Sequence, residues 1–153
     1  MIIRECMKTK VFSIPSTATV LEAARVFVQR HVGLLPVVDE HGRPVGVLRL
    51  SDLLTLELPD FVRLVADVDF VHDFGAVETT RPLPSELAGP VTALMQPVRT
   101  IEWDSGLLRA YALMLQHELA DMPVVGAGGE LVGIVSRVDI GTAILSQWPQ
   151  EGS

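Results

Sequence analysis

Residues 33–53 read GLLPVVDEHGRPVGVLRLSDL, and residues 120–140 repeat that pattern as ADMPVVGAGGELVGIVSRVDI. Matched positions lie 87 residues apart, so that Pro36 corresponds to Pro123. A unit of this length is too short to bury a core alone. Two copies should therefore stack on each other, and a ligand-sized cleft is expected where they meet.

The same offset extends backwards, so the repeat covers residues 11–53 and 98–140. It slips by one residue only before Val11, where Met7 would pair with Met95. Each copy opens with a short extended segment and continues with apolar residues at helical spacing. These are Val20, Ala23, Ala24, Phe27 and Val28 in the first copy, and Leu107, Ala110, Tyr111, Met114 and Leu115 in the second.

Local signals mark the boundaries of the other elements. Thr19 and Glu22 have the T-x-x-E spacing of a capping box, which predicts the start of the first helix. Two short β-branched runs follow, separated by a turn whose glycine is Gly42 in the first copy and Gly129 in the second. A second helix is expected to begin near the aspartate of each copy. Each copy thus predicts the order strand, helix, strand, strand, helix.

Composition limits the kind of protein that this chain is. Hydrophobic residues make up 48% of the 153 residues, which argues against disorder, and no apolar run reaches the roughly 20 residues of a membrane-spanning helix. The formal charge of −7 argues against general binding to nucleic acids. A single cysteine, Cys6, excludes an internal disulfide and suits a reducing compartment. We expect a cytoplasmic protein.

The stretch 56–90 belongs to neither copy, and it carries seven acidic and two basic residues, a net charge of −5. Pro59 predicts the start of a helix with an apolar stripe, and the segment after Gly75 reads as a loop. The helix either covers an exposed flank of the core, the interpretation that we favour, or forms a surface for a dimer or another partner.

The most informative segment for function is GIVSRVDI, residues 133–140. Ser136 and Asp139 are predicted at the mouth of a helix, where backbone amides attract anions and a carboxylate suits the hydroxyls of a ribose. Arg137 lies beside them and is a candidate for a phosphate contact. The same spacing is also that of a capping box, which two residues alone would favour. Recurrence at the same place in both copies favours a ligand site.

The repeated PVV and GIVSRVDI elements resemble a tandem pair of CBS domains, also called a Bateman module. That resemblance implies an α+β fold in which two β-α-β-β-α repeats pack about a pseudo-twofold axis, here with an inserted helical connector. On this basis we divide the chain into repeat 1 (1–55), an acidic helical insert (56–90), repeat 2 (91–147) and a frayed C-terminus (148–153). The two clefts of such a pair commonly bind adenine nucleotides.

The family's nucleotide motif is glycine, two aliphatics, serine or threonine, two variable residues, then aspartate. The second copy satisfies it, and the resemblance implies that Asp139 holds the ribose hydroxyls and Ser136 bonds near the sugar or α-phosphate. Thr100 and Ile101 match the extended segment whose backbone reads the adenine edge. Met122 and Pro123 match its apolar wall. With Arg137, these seven residues are the predicted ligand site.

The first copy departs from the motif at one position, because Arg49 stands where serine or threonine is expected. A bulky cation there either fills the cleft, pairs with Asp52, or replaces the hydroxyl contact with a phosphate contact. We therefore predict a weaker second site. Its residues are Ser13, Ile14, Leu35, Pro36, Arg49 and Asp52.

The resulting hypothesis is a stand-alone regulatory module and not an enzyme. It binds AMP, ADP or ATP, with S-adenosylmethionine or NAD as secondary candidates, and it signals in trans as a homodimer to an unknown effector protein. The alternative is a ligand-free interaction module that acts through dimerisation and the insert helix. No catalytic cofactor, membrane or nucleic-acid partner is expected. No metal site is expected either, since the four histidines lack metal-ligand spacing.

Overall fold

The computed structural model describes residues 1–58 and 82–149. Both repeats form the predicted order of elements. The first contains β1 (Ile14–Pro15), α1 (Val20–Arg30), β2 (Leu34–Val38), β3 (Pro44–Arg49) and α2 (Leu50–Leu54). The second contains β4 (Ile101–Glu102), α4 (Leu107–Gln116), β5 (Asp121–Val125), β6 (Leu131–Ser136) and α5 (Arg137–Leu145), while a short α3 (Pro84–Leu87) precedes it. The α+β fold with two β-α-β-β-α repeats is confirmed.

Each repeat builds a three-stranded sheet in which the middle strand pairs in parallel with the first and antiparallel with the third. The antiparallel pairs are closed by turns at Gly42 and Gly129, whose φ angles are +76° and +83°. Such left-handed backbone favours glycine, since a side chain would clash there. The register is the same in both sheets: Leu34 lies opposite Arg49, and Asp121 opposite Ser136.

The long helices cover the sheets with the faces that the apolar spacing predicts. The Thr19 side chain accepts from the Glu22 amide at 3.2 Å, so the predicted capping box at α1 is confirmed. Val20, Ala23 and Phe27 are buried on α1, and three residues of α4 are buried in the same way, namely Leu107, Ala110 and Met114. The outer members of each stripe, Val28 and Leu115, are instead exposed.

The two repeats exchange their short N-terminal segments, which lie before β1 and before β4. Lys8 and Ile134 on β6 share two backbone hydrogen bonds, at 2.8 and 2.9 Å. Gln96 and Val47 on β3 repeat this arrangement at 2.8 and 2.9 Å. The N-terminal segment of repeat 1 is thus attached to repeat 2, and the N-terminal segment of repeat 2 to repeat 1, as a pseudo-twofold axis requires.

This exchange continues into the two hydrophobic cores. Ile3 is fully buried in the core of repeat 2 beside Ile101 and Ile140. Val91 is fully buried in the core of repeat 1 beside Ile14 and Leu48. The boundaries 1–55 and 91–147 stay predictions, and each packed half contains a segment from the other repeat.

The insert contains one element that the sequence reading missed. Residues 84–87 form α3, where a loop was predicted, because Pro84 occupies the first turn and the Leu83 amide donates to the Glu86 carboxylate at 2.8 Å. This helix packs against α1. The predicted helix from Pro59 lies outside the described residues. Within residues 1–58 and 82–149, no helix has the length and apolar character to cross a membrane.

The exchanged segments explain why both third strands carry a glycine. A Cβ on Gly133 would lie 2.7 Å from the Lys8 carbonyl oxygen, and one on Gly46 would lie 3.1 Å from the Gln96 carbonyl oxygen. The nearest side-chain atoms are the sulfurs of Met7 and Met95, at 2.8 and 2.6 Å respectively. The pairing of Met7 with Met95 in the sequence thus reflects equivalent contacts on the two glycines.

We predict that Gly133→Ala lowers the free energy of unfolding by about 1–3 kcal/mol, since the crowded partner is backbone. Gly141→Ala on α5 is the matched control, because nothing lies within 4 Å of its added Cβ. That substitution should raise stability by up to about 1 kcal/mol through helix propensity. Urea denaturation of both variants measures the difference, and equal stabilities would contradict the close approach.

Candidate functional site

The start of α5 brings the predicted site residues Ser136 and Asp139 together. The Asp139 amide donates to the Ser136 hydroxyl at 3.0 Å, and the Ser136 amide donates to the Asp139 carboxylate at 2.9 Å. This is a complete capping box, the structural alternative that the spacing left open. One carboxylate oxygen of Asp139 is therefore used by the helix, and both of its oxygens lie within hydrogen-bond distance of a further partner.

That partner is Lys8, which sequence reasoning missed. The Lys8 ammonium lies 3.1 and 3.0 Å from the two carboxylate oxygens of Asp139. Partial burial acts to raise the pKa of Asp139, but the hydrogen bonds from the Ser136 amide and from Lys8 outweigh it and hold the pKa below its usual value. Asp139 is thus an ionised carboxylate that pairs with the Lys8 ammonium.

A cavity of about 310 Å³ opens beside this ion pair, and we call it the Phe12 cleft. Its lining comes from the segment before β1, from the start of β2 and from repeat 2. The lining residues are Lys8, Lys10, Val11, Phe12, Val32, Gly33, Leu34, Asp121 and Ile134. The Phe12 ring lies under two cations, since the guanidinium of Arg30 is 4.7 Å and the ammonium of Lys10 is 5.9 Å from its centroid.

A second cavity of about 200 Å³ occupies the equivalent place on the other side of the axis, and we call it the Arg99 cleft. Its lining includes the segment before β4, the start of β5 and the third strand of repeat 1. The lining residues are Leu34, Val47, Arg49, Pro97, Arg99, His117, Leu119, Asp121 and Pro123. The two expected clefts are therefore present in the described structure.

Each cleft is built from both repeats, whereas the sequence prediction grouped Thr100 and Ile101 with Asp139 of the same repeat, and that grouping stays a prediction. Ile101 on β4 lies opposite Val124 on β5, whereas Ser136 on β6 lies opposite Asp121 on β5. Val124 is three residues beyond Asp121, and β4 and β6 are separated by β5. This places Ile101 about 10 Å along and about 10 Å across the sheet from Ser136. Residues 10–12, which belong to the other repeat, line the cleft beside the Lys8–Asp139 ion pair.

Most of the predicted apolar contacts lie in the hydrophobic cores. Ile101 and Met122 are at most 1% exposed in the core of repeat 2, and Ile14 and Leu35 occupy equivalent places in repeat 1. Thr100 is half-buried and Ser13 is exposed. Of the two predicted prolines, Pro123 lines the Arg99 cleft, whereas Pro36 is buried. Their roles as ligand contacts stay predictions.

The guanidinium of Arg137 is bonded to backbone carbonyl oxygens near the end of α4. Its Nε donates to the Leu119 carbonyl oxygen at 2.5 Å, and its Nη2 lies 3.4 Å from the Met114 carbonyl oxygen. These bonds satisfy carbonyl groups at and beyond the C-terminal end of α4, where the helix leaves acceptors free. The role of Arg137 as a phosphate contact stays a prediction.

The first copy has a weaker version of the same arrangement. The Arg49 amide donates to Asp52 at 2.7 Å, and Gln96, the counterpart of Lys8, approaches Asp52 at 3.4 Å. Among the described residues, the Arg49 guanidinium makes no ion pair with Asp52, so that option from the sequence is not realised. Arg49 instead lines the Arg99 cleft.

The chemistry of the described residues does not include a metal cluster or a reactive thiol. No group of three or more histidine, cysteine or acidic side chains in residues 1–58 and 82–149 is placed to hold a metal ion. Burial raises the pKa of the Cys6 thiol, and the negative charges of Asp139 and Glu5 raise it further. A thiol kept protonated in this way is a poor nucleophile.

Comparison with known proteins identifies the family. The sequence model of the CBS domain matches residues 3–58 and 93–146, so the chain belongs to the CBS domain family as a tandem pair. Each matched region contains its own complete set of the strands and helices described above.

Two relatives with known structures are similar over most of this chain. The CBS domain-containing protein CBSX2, chloroplastic, of Arabidopsis thaliana is 33% identical over 138 residues, which cover 86% of this chain and 57% of CBSX2. The crystal structure of CBSX2 in complex with AMP superimposes with a TM-score of 0.68 at 26% identity, over 95% of this chain and 96% of the crystallised one. The cytosolic domain of the Mg²⁺ channel MgtE, solved in complex with ATP, has a TM-score of 0.66 at 25% identity, over 90% of this chain and 46% of that chain. This chain thus spans little more than half the length of its plant relative.

We predict that Lys8→Gln, which introduces the residue found at the equivalent position 96, lowers stability at neutral pH by less than about 1 kcal/mol, since Lys8 is 60% exposed. Because the pKa of Asp139 is lower in the folded protein than in the unfolded chain, its ionised carboxylate stabilises the fold at pH values above the pKa of the unfolded state. This stabilisation is lost as the pH falls through the pKa of the folded state. The deficit should therefore vanish in acid.

Lys10→Gln is the control, because Lys10 lies over Phe12 and not on Asp139. Urea denaturation across the acidic range measures both variants. Identical pH profiles for the two variants would refute a stabilising role of the Lys8–Asp139 pair.

Proposed function

We propose that this CBS pair is a regulatory module that binds an adenosine-containing ligand, AMP, ADP or ATP, in the Phe12 cleft. The observation that carries this proposal is a cavity with an aromatic ring and aliphatic walls, one of whose lining residues, Lys8, forms an ion pair with the carboxylate of Asp139 at 3.0 Å. Ligand pockets typically combine apolar walls with a few fixed polar groups of this kind.

The groups in this cleft match the parts of a nucleotide. The second carboxylate oxygen of Asp139 is available to accept from the ribose hydroxyls when Lys8 moves aside. Phe12 and Val32 offer apolar surface to the adenine ring. The ammonium groups of Lys8 and Lys10 are then free to approach a phosphate. Ser136 keeps Asp139 oriented through the capping box.

The relatives support this choice of ligand, since CBSX2 has been crystallised with AMP and the MgtE domain with ATP. Because the Phe12 cleft is lined by both repeats, a bound nucleotide contacts both of them. Such a ligand shifts the population towards the arrangement of the repeats that it contacts best. This shift is the signal that we propose for an effector protein acting in trans, with the Arg99 cleft as the weaker nucleotide site.

A homodimer is favoured by exposed apolar side chains at equivalent places on α1 and α4. Leu21 corresponds to Leu108, and Val28 corresponds to Leu115, and all four are exposed. This pattern also supports the second candidate function, an interaction module that acts without a ligand. Light scattering over a range of concentrations tests the dimer. Both candidate functions predict twice the monomer mass, and a particle with the mass of one monomer would contradict the homodimer.

Titration with AMP, ADP, ATP, S-adenosylmethionine and NAD, followed by calorimetry and thermal shift, separates the two functions. We expect saturable stabilisation by at least one adenine nucleotide. Asp139→Asn should weaken that binding about 10-fold or more, since hydrogen bonds to a charged acceptor are worth about 1.5–3 kcal/mol. Asparagine keeps an oxygen for the Ser136 amide, so the helix cap is retained.

Asp104→Asn is the matched control, because Asp104 is exposed and lines neither cleft. It should bind nucleotide as the unchanged protein does. If no adenosine-containing compound stabilises the protein, or if both variants lose affinity equally, the sensing function is wrong and the interaction module is favoured.

A further inference from the structure

Leu34 and Asp121 form a wall that the two clefts share. Both residues line the Phe12 cleft, and both also line the Arg99 cleft. The 87-residue offset relates one to the other, and they lie at the starts of β2 and β5 respectively. A third cavity, of about 560 Å³, is lined by the same two residues. The two positions therefore lie where the repeats meet, close to the pseudo-twofold axis.

The shared wall carries a single negative charge, because the first copy has leucine where the second has aspartate. Asp121 is half-buried. Within residues 1–58 and 82–149, its side chain makes no hydrogen bond and no ion pair, whereas Asp139 is bonded both to the Ser136 amide and to Lys8. A carboxyl group that the helix cap and the ion pair do not use is thus placed beside both clefts.

The surroundings of Asp121 compensate its negative charge poorly. Burial raises the pKa of its carboxyl, the Lys8 ammonium lowers it, and the Asp139 carboxylate raises it. The shift is upward on balance, so the ionised form of Asp121 is less favourable here than in water. Lys8 is already paired with Asp139 at 3.0 Å. A further negative charge brought into a cleft is therefore repelled by a carboxylate that has no ion pair within the described residues.

The charges around the Phe12 cleft cancel when Asp121 is included. Lys8 and Lys10 are the cations of its lining. Asp139 pairs with Lys8, and Asp121 is the acid of the lining itself. Two ammonium groups thus face two carboxylates. The cleft has no excess of positive charge with which to attract a second or a third phosphate.

We propose that Asp121 is a specificity-determining residue that weakens the binding of each additional phosphate in both clefts, so that the Phe12 cleft prefers adenosine and AMP to ADP and ATP. Coulomb repulsion adds for every negative charge of the ligand, and it strengthens where solvent is excluded. In the Arg99 cleft the same carboxylate opposes Arg49 and Arg99, so its removal acts in the same direction there. This inference rests on the proposed binding of an adenosine-containing ligand, and it names the phosphate count that such a site prefers.

Four variants separate charge from shape. Asp121→Asn removes the charge and keeps the size of the side chain. Leu34→Asp adds a second carboxylate at a position where the other repeat already has one, and Leu34→Asn is its uncharged counterpart. Asp104→Asn is the control for net charge, because Asp104 is exposed and lines none of the three cavities.

The test is calorimetric titration with adenosine, AMP, ADP and ATP at neutral pH, at fixed ionic strength and without Mg²⁺, so that ligand charge rises with each phosphate. We expect Asp121→Asn to tighten the binding of AMP about 3-fold and that of ATP about 10-fold or more, and to change that of adenosine by less than about 2-fold. Leu34→Asp should weaken binding in the same order. Leu34→Asn and Asp104→Asn should leave the ratio of ATP to adenosine affinity unchanged.

An equal change for all four compounds in Asp121→Asn would show that Asp121 acts through packing, and it would overturn the proposal. An unchanged affinity ratio in that variant, or the same change of ratio in Asp104→Asn, would also overturn it while leaving the adenosine site intact. If none of the four compounds binds to the unchanged protein or to any variant, the proposed function itself is wrong and the specificity role falls with it.

Discussion

The backbone exchange between the repeats determines the rest of the structure. Lys8 pairs with Ile134, and Gln96 pairs with Val47, each through two hydrogen bonds and each beside a glycine that leaves room for the approach. Each pair satisfies the amide and the carbonyl group of both residues, and this reciprocal bonding fixes the position of the crossing segments. The crossing then carries residues 10–12 and 97–99 to the clefts. Ligand sites that contain both repeats are a direct consequence.

Duplication has kept the framework of this molecule symmetric while its chemistry has become unequal. The glycines, the strand registers and the exchanged segments occur in pairs, because a change in one would disturb packing against backbone. The cleft side chains are free of that constraint. Phe12 lines one cleft, and Arg99 at the equivalent position lines the other together with Arg49. The two clefts therefore present different side chains on the same backbone framework.

The order of elements could be predicted from the sequence, because apolar periodicity and the capping pairs Thr19–Glu22 and Ser136–Asp139 are local signals. The composition of each cleft could not, since spacing along one repeat does not show which partner its lead-in segment faces. Phe12 and Arg99 lie outside regular elements and have no periodic signal. The 87-residue offset slips by one residue where Met7 pairs with Met95. This slip was a signal in the sequence that these segments do not pack with the repeat that follows them.

A structure of this chain with AMP tests the central claim, that each cleft is assembled from both repeats. The account predicts the ribose hydroxyls on Asp139, with Lys8 displaced from that carboxylate, and the adenine ring against Phe12 from the other repeat. Adenine bound instead against Thr100 and Ile101 of the same repeat, with no contact from residues 10–12, would contradict it.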